Sequence, residues 1–267
     1  EETYTVECMM HDKKALQAGT SHYFGDGFAK AFDITFTGKD NQLHYPHQTS
    51  WGVSTRMIGG IIMTHGDNNG LVLPPRIAPI QVVIIPVAQH KEGVLDANRA
   101  VMDRLVKAGF RVKMDDSDQS AGWKFAEYEM KGIPLRLELG PKDIEKNQCV
   151  LVRRDSGEKS FVSLDGIEDT VASMLDSIHD GLYAKAKKNL EDNTYACSSL
   201  EEVREKMQER GGFAKTMWCG DEACEIRMKE EAGVTSRCIP FAQEHLGDVC
   251  PICGKPAKHM VYWGVAY

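Results

Sequence analysis

The segment Ser50 to Pro79, SWGVSTRMIGGIIMTHGDNNGLVLPPRIAP, opens with a strand-like run over Ser50–Thr55. It then passes through Arg56 into an apolar-periodic helical stretch, Met57–His65, and stops at Gly66-Asp67-Asn68-Asn69-Gly70, which is turn chemistry. Gly52, Gly59 and Gly60 carry no Cβ, so backbone can approach a flat ligand or a neighbouring sheet at those points. Arg56 stands at the strand-to-helix junction, where a planar, permanently charged guanidinium can pair with a phosphate and stack on a base. The same pattern also describes a buried hairpin and helix with a surface arginine.

Upstream, residues 1–79 read as a strand over Tyr4–Met9, a short connection, the segment Gln17–His22, an amphipathic piece around Phe28–Phe32 and a strand over Asp33–Thr37. Such a set does not close a sheet by itself, because strand edges need partners. From Ile80 the pattern changes. Gln81–Val87 is a short continuous apolar run, as in a strand buried on both faces. Ala97, Ala100, Val101, Arg104, Leu105 and Ala108 recur at helical spacing, and Gly109 sits where a C-cap belongs. Phe110–Met114 and Leu135–Leu139 alternate, with a helix over Ala121–Lys131 between them. Cys149–Arg153 and Ser160–Leu164 flank the hairpin signal Asp155-Ser156-Gly157, and a helix follows from Gly166 to Lys188. Alternating strands and helices predict an α/β domain with a parallel or mixed sheet.

The last third reads as a separate α/β unit. Ser198 or Ser199 caps a helix that Gly211-Gly212 ends, Phe213–Trp218 is a strand, Asp221–Ala232 is a charged helix closed by Gly233, and Arg237–Phe241 is a further strand. Four of the eight cysteines fall as Cys219-x4-Cys224 and Cys250-x2-Cys253. Each pair closes a tight turn, the way four thiolates converge tetrahedrally on zinc, and four protein ligands leave no open position for catalysis. Close pairs without a secretion signal favour metal over disulfide.

The chain has 267 residues with a formal net charge of −7, so RNA binding must come from a local patch rather than from the molecule as a whole. No apolar run approaches the ~18 to 20 residues that cross a bilayer. The start, EETYTVEC, lacks the basic region of a signal peptide, so a cytoplasmic protein without a membrane partner is expected. Lys124, Glu129, Lys131, Arg136 and Glu138 lie on and after one helix, a grouping that also fits a solvated charged face.

The segment Ser50–Pro79 resembles motif 3 of class II aminoacyl-tRNA synthetases. Flanking words narrow the resemblance to prolyl-tRNA synthetases of the eukaryotic and archaeal type. They are Leu16-Gln17-Ala18-Gly19-Thr20-Ser21-His22, Ala29-Lys30-Ala31-Phe32-Asp33, Ser50-Trp51-Gly52, Thr55-Arg56, His65-Gly66-Asp67 and Gly70-Leu71-Val72-Leu73-Pro74-Pro75-Arg76. Gly122-Trp123-Lys124-Phe125, Lys131-Gly132-Ile133-Pro134, Gly140-Pro141, Val152-Arg153-Arg154-Asp155 and Cys253-Gly254-Lys255 continue the series in order, so the likeness runs the whole length.

The resemblance implies a multidomain α/β and α+β protein. Residues 1–79 would be the remainder of a class II antiparallel-sheet catalytic domain, 80–188 an α/β anticodon-binding domain, and 189–267 a small α/β zinc-binding domain. The first two class II motifs are absent from the sequence, so the chain is expected to be the C-terminal part of a longer synthetase. The implied activity is ATP-dependent ligation of L-proline to tRNA(Pro) through a prolyl-adenylate, with Mg2+ on the phosphates, structural Zn2+ and a homodimeric assembly. Gln17, Thr20 and Arg56 would contact ATP, Arg56 being the catalytic cation, and His22, Trp51, Gly52 and Ser54 would bind proline. Activation is in-line attack of a carboxylate on the α-phosphate, so the site needs positioning and charge stabilisation more than a general base. Glu129, Lys131 and Arg136 would read the anticodon guanines, a carboxylate facing the N1 and N2 donors and cations facing O6 and N7. Cys219, Cys224, Cys250 and Cys253 would hold the zinc, with Cys238 outside the shell. The terminal Tyr267 is expected to dock near His22 and the Ser50–Arg56 segment. A competing reading is a non-catalytic RNA-binding module that keeps the anticodon and zinc units, and a weaker one is a zinc-ribbon scaffold.

Overall fold

A computed structural model describes residues 2–267. Strands β1 (Glu2–Met9), β2 (Ala15–Gly25) and β5 (Gln48–Val53) form an antiparallel sheet in the order β1-β2-β5. Between β2 and β5 lie helix α1 (Gly27–Ala31) and a small hairpin of β3 (Phe36–Thr37) and β4 (Leu43–His44). The strand expected over Asp33–Thr37 shrinks to its last two residues, because Asp33 takes a left-handed φ of 52° that no ladder accepts. Helix α2 (Arg56–His65) starts where expected, with Ser54 Oγ accepting the Arg56 backbone N–H at 3.3 Å. Of the three glycines read as close-approach points only Gly60 is covered, its missing Cβ lying 3.3 Å from Leu16 Cδ2, while Gly52 and Gly59 face open space.

The chain divides into two compact units, residues 65–188 and the combination of the first 64 residues with 189–267. The middle unit contains β6 (Val82–Pro86), α3 (Val94–Lys107), β7 (Val112–Met114), α4 (Ala121–Met130), β8 (Leu135–Leu139), α5 (Pro141–Glu145), β9 (Gln148–Arg153), β10 (Lys159–Ser163) and most of α6 (Ile167–Asp192). Its sheet runs β10-β9-β8-β6-β7, parallel across β8-β6-β7 and antiparallel across β10-β9-β8, so it is mixed. Strand β6 is central and buried on both faces, as its unbroken apolar run requires: Val82 and Ile84 join the core with α3 and α6, Val83 and Ile85 the opposite core with Tyr128 and Ile133. Helix α6 buries Ile167, Val171, Leu175, Ile178 and Leu182, spaced at three and four residues. Gly132 (φ 71°) lets residues 71–73 pass, since a Cβ there would lie 2.6 Å from the Leu71 carbonyl, and Leu73 N–H reaches Gly132 O at 3.2 Å.

The remaining elements are β11 (Thr194–Ala196), α7 (Leu200–Glu209), β12 (Phe213–Trp218), α8 (Glu222–Ala232), β13 (Thr235–Cys238) and β14 (His259–Gly264), with the sheet order β11-β12-β14-β13. Ser199 caps α7 and Asp221 caps α8, while Gly233 ends α8 in the left-handed conformation. The strand expected over Arg237–Phe241 ends at Cys238, and Phe241 is exposed. Trp263 is fully buried and donates to Thr216 Oγ1 at 2.9 Å, so the aromatic end of the chain is largely core. This sheet joins the N-terminal one: Ala15 N–H donates to Val265 O at 2.7 Å, and Met9, Ala15 and Phe213 share a buried cluster. Among the described residues no helix is long and apolar enough to cross a membrane.

Candidate functional site

In the N-terminal sheet, Gln17, Thr20, Gly52, Ser54 and Arg56 line one depression of about 290 Å³ with Ala18, Gly19 and Val53. Two parts of the sequence meet there because β2 and β5 pair with Thr20 opposite Gly52. Arg56 projects from the first turn of α2 and is exposed. The expected ATP set thus lies together with two of the expected proline residues. Register separates the other two: His22 pairs with Ser50, and Trp51 with Ser21. Directly opposed residues share a face and neighbours alternate, so Trp51 and His22 stand on opposite sides of the pleat. Trp51 is 78% exposed and is not among the residues that line the depression. Ser50 is the residue brought opposite His22, whose Nδ1 lies 2.9 Å from Thr3 Oγ1.

Tyr267 meets Arg56 of the expected Ser50–Arg56 segment in one depression, and it docks at the start of β2, seven positions before His22. Its N–H reaches Ala15 O at 3.3 Å, and its hydroxyl lies 3.9 Å from Met63 Sδ. With Ala15, Leu16, Gln17, Arg56, Arg237 and Ala266 it lines a second depression of about 380 Å³, which shares Gln17 and Arg56 with the first.

In the middle unit a cavity of about 370 Å³ has Glu129 and Arg136 in its wall together with Asp67, Tyr128, Arg153 and Arg154. Arg136 Nε donates to Glu138 Oε1 at 2.9 Å and its guanidinium lies 4.1 Å from the Phe125 ring centroid, a cation–π contact that fixes the plane of the group. Glu129 Oε1 accepts from Asn69 Nδ2 at 3.0 Å. Lys131 is outside the wall, its Nζ 2.6 Å from Glu127 Oε1. Arg154 was legible only as part of a family word, yet it organises this wall. It donates to both oxygens of Asp67 at 2.8 and 2.6 Å and from Nε to Glu129 O at 2.8 Å. The Arg154 hydrogen bond holds the Asp67 carboxyl down to about 2, with backbone donors from Asn69 and Gly70 adding to it. Lys124, read as part of a solvated face, is 1% exposed, and its Nζ donates to the carbonyls of Asp115 (2.9 Å) and Ser117 (2.7 Å) and to Gln89 Oε1 (3.2 Å). Burial, followed by the Asp115 carboxylate, pushes the neighbouring Tyr128 hydroxyl up to about 12.

The sulfurs of Cys219, Cys224, Cys250 and Cys253 lie within 4.8 Å of one another, with Cys219 Sγ 3.7 Å from those of Cys224 and Cys253. A tetrahedral centre with metal–sulfur bonds of about 2.3 Å requires sulfur separations of about 3.8 Å, which the two separations from Cys219 match. The two turns are also tied to each other: Lys255 Nζ meets Asp221 Oδ2 at 3.0 Å, and Arg227 Nη1 donates to Ile252 O at 2.7 Å. Cys238 lies in β13, outside this group.

These parts coincide with known protein families. Residues 81–174 match the family profile "Anticodon binding domain", and residues 200–267 match "Prolyl-tRNA synthetase, C-terminal". The chain is 62% identical over 265 residues to a proline–tRNA ligase of Ruminiclostridium cellulolyticum, covering 99% of this chain and 55% of the relative. It is 60% identical over 267 residues to a proline–tRNA ligase of Clostridium botulinum strain Okra, covering 100% of this chain and 56% of the relative. Proline–tRNA ligase 2 of Bacillus thuringiensis subsp. konkukian is 60% identical over 265 residues, 99% of this chain and 56% of the relative. The chain therefore spans little more than half the length of these bacterial relatives. With both profiles falling on its folded parts and this identity sustained from end to end, the chain belongs to the prolyl-tRNA synthetase family, as its C-terminal region.

Proposed function

We propose that the polypeptide carrying this chain ligates L-proline to tRNA(Pro) through a prolyl-adenylate. The observation that supports this most directly is the meeting of Gln17, Thr20, Gly52, Ser54 and Arg56 in one depression, from segments more than thirty residues apart. In this reading residues 1–79 belong to a class II catalytic domain, 80–188 to the anticodon-binding domain and 189–267 to the zinc-binding domain. Gln17 and Thr20 bind ATP, whose phosphates carry Mg2+, and Arg56 offsets the charge that develops on the α-phosphate as the proline carboxylate attacks. His22, Gly52 and Ser54 hold proline. Glu129 and Arg136 offer a carboxylate and a guanidinium to one cavity, the complement of a guanine's N1/N2 donors and O6/N7 acceptors, with Lys131 beside it on the helix end.

Zinc bound by Cys219, Cys224, Cys250 and Cys253 would join the two cysteine turns as a structural tie. The enzyme would act as a cytoplasmic homodimer. The test is proline-dependent pyrophosphate exchange, followed by charging of tRNA(Pro). Exchange with proline alone among the amino acids is expected. RNA binding without any exchange would instead favour the non-catalytic module.

A further inference from the structure

Glu7 stands at the meeting of two irregular strands. In β1–β2 the pairing steps from Val6 opposite Gly19 to Glu7 opposite Gln17, which leaves Ala18 as the extra residue of a β-bulge. In β13–β14 it steps from Ser236 opposite Trp263 to Cys238 opposite Tyr262, which makes Arg237 the extra residue of a second bulge. Bulges re-aim side chains and collect beside functional sites. Here they bring Arg237 Nη1 to 3.6 Å from Glu7 Oε2, with side chains 17% and 8% exposed. Arg237 Nε donates to Ser236 O at 2.9 Å, which fixes the guanidinium.

Glu7 Oε2 is buried and accepts no hydrogen bond, so its charge rests on that guanidinium. A buried carboxylate without a counter-charge is costly, and this one lies directly across the ladder from Gln17. Burial raises the Glu7 carboxyl above the ordinary range, and Arg237 opposes the rise. Arg237 also lines the depression that contains Gln17, Arg56 and Tyr267.

We propose that Arg237, contributed by the C-terminal sheet, is a positioning residue for the nucleotide cleft, acting through Glu7 to hold Gln17. The inference rests on the nucleotide reading of that cleft. With Arg237 in place, Glu7 is neutralised and the pairing at Gln17 is preserved. Without it, an uncompensated negative charge stands beside a cleft that must accept an anionic nucleotide.

The test is steady-state pyrophosphate exchange by the full polypeptide and its variants. Arg237→Met is expected to raise the KM for ATP about tenfold, with kcat and the KM for proline within about twofold. Arg237→Lys, which keeps the charge, and Glu7→Gln, which removes the need for it, should each raise the KM for ATP by no more than about threefold. The double variant Arg237→Met/Glu7→Gln should fall back to the level of Glu7→Gln, and it serves equally if Arg237→Met does not fold. An unmoved KM for ATP in Arg237→Met, or a double variant no better than that single one, overturns the inference. If the unaltered polypeptide lacks proline-dependent exchange, the function reading itself fails and this inference with it. Activity that Arg237→Met leaves untouched defeats the inference alone.

Discussion

Asp67→Asn tests how the cavity wall of the middle unit is held. The substitution keeps an oxygen to accept the Asn69 backbone N–H, at 2.9 Å in the native turn, but removes the charge facing Arg154. Lowering of the Asp67 carboxyl from its ordinary 3.8 to about 2 corresponds to at most about 2.5 kcal/mol. The Asp67 side chain is 44% exposed, so solvent screening reduces this to about 1 to 1.5 kcal/mol at neutral pH. For a unit of this size that is a fall in Tm of about 4 to 6 °C, read by circular dichroism. The pH dependence has a definite sign. A depressed carboxyl contributes stability above its unfolded pKa and loses it as pH falls through the folded one, so wild type and variant should converge between pH 4 and 2. A variant as stable as wild type at pH 7, or a gap of unchanged size at pH 2, would refute the reasoning.

Arg56→Ala should abolish proline-dependent pyrophosphate exchange while circular dichroism stays native, because the side chain is exposed and packs no core. Glu129→Ala and Arg136→Ala should each weaken tRNA charging by about 1 to 3 kcal/mol and leave pyrophosphate exchange alone, and equal losses in both assays would point to misfolding. Metal analysis should find one zinc per chain, lost in Cys219→Ser and retained in Cys238→Ser; loss in the second would mean a different ligand set. Lys124→Met should destabilise the middle unit by about 3 to 5 kcal/mol in urea titrations, since it leaves a buried carboxylate and two carbonyls without their cation.

Much of this protein was determined by local sequence. The unbroken apolar run of β6, the three-and-four spacing of α6, the serine and aspartate caps and the glycine stops each specify an element through its own backbone period. The cysteine spacings likewise pointed to one four-thiol cluster, and the ordered family words pointed to one family along the whole chain, whereas the joining of the first 64 residues with 189–267 in one unit was not legible in them. Other features required the tertiary structure, because they depend on which strands pair and in what register. A single unpaired residue at Ala18, and another at Arg237, decides where Gln17 stands and what faces it. Pleating in β2 and β5 parts Trp51 from His22, which composition could not reveal. Lys124 carries the same charge in sequence as any surface lysine, and only the closing of residues 115–117 over it makes it a buried tie. The first and last parts of the chain join through Ala15 and Val265, 250 positions apart, a separation at which no local pattern carries information about contact.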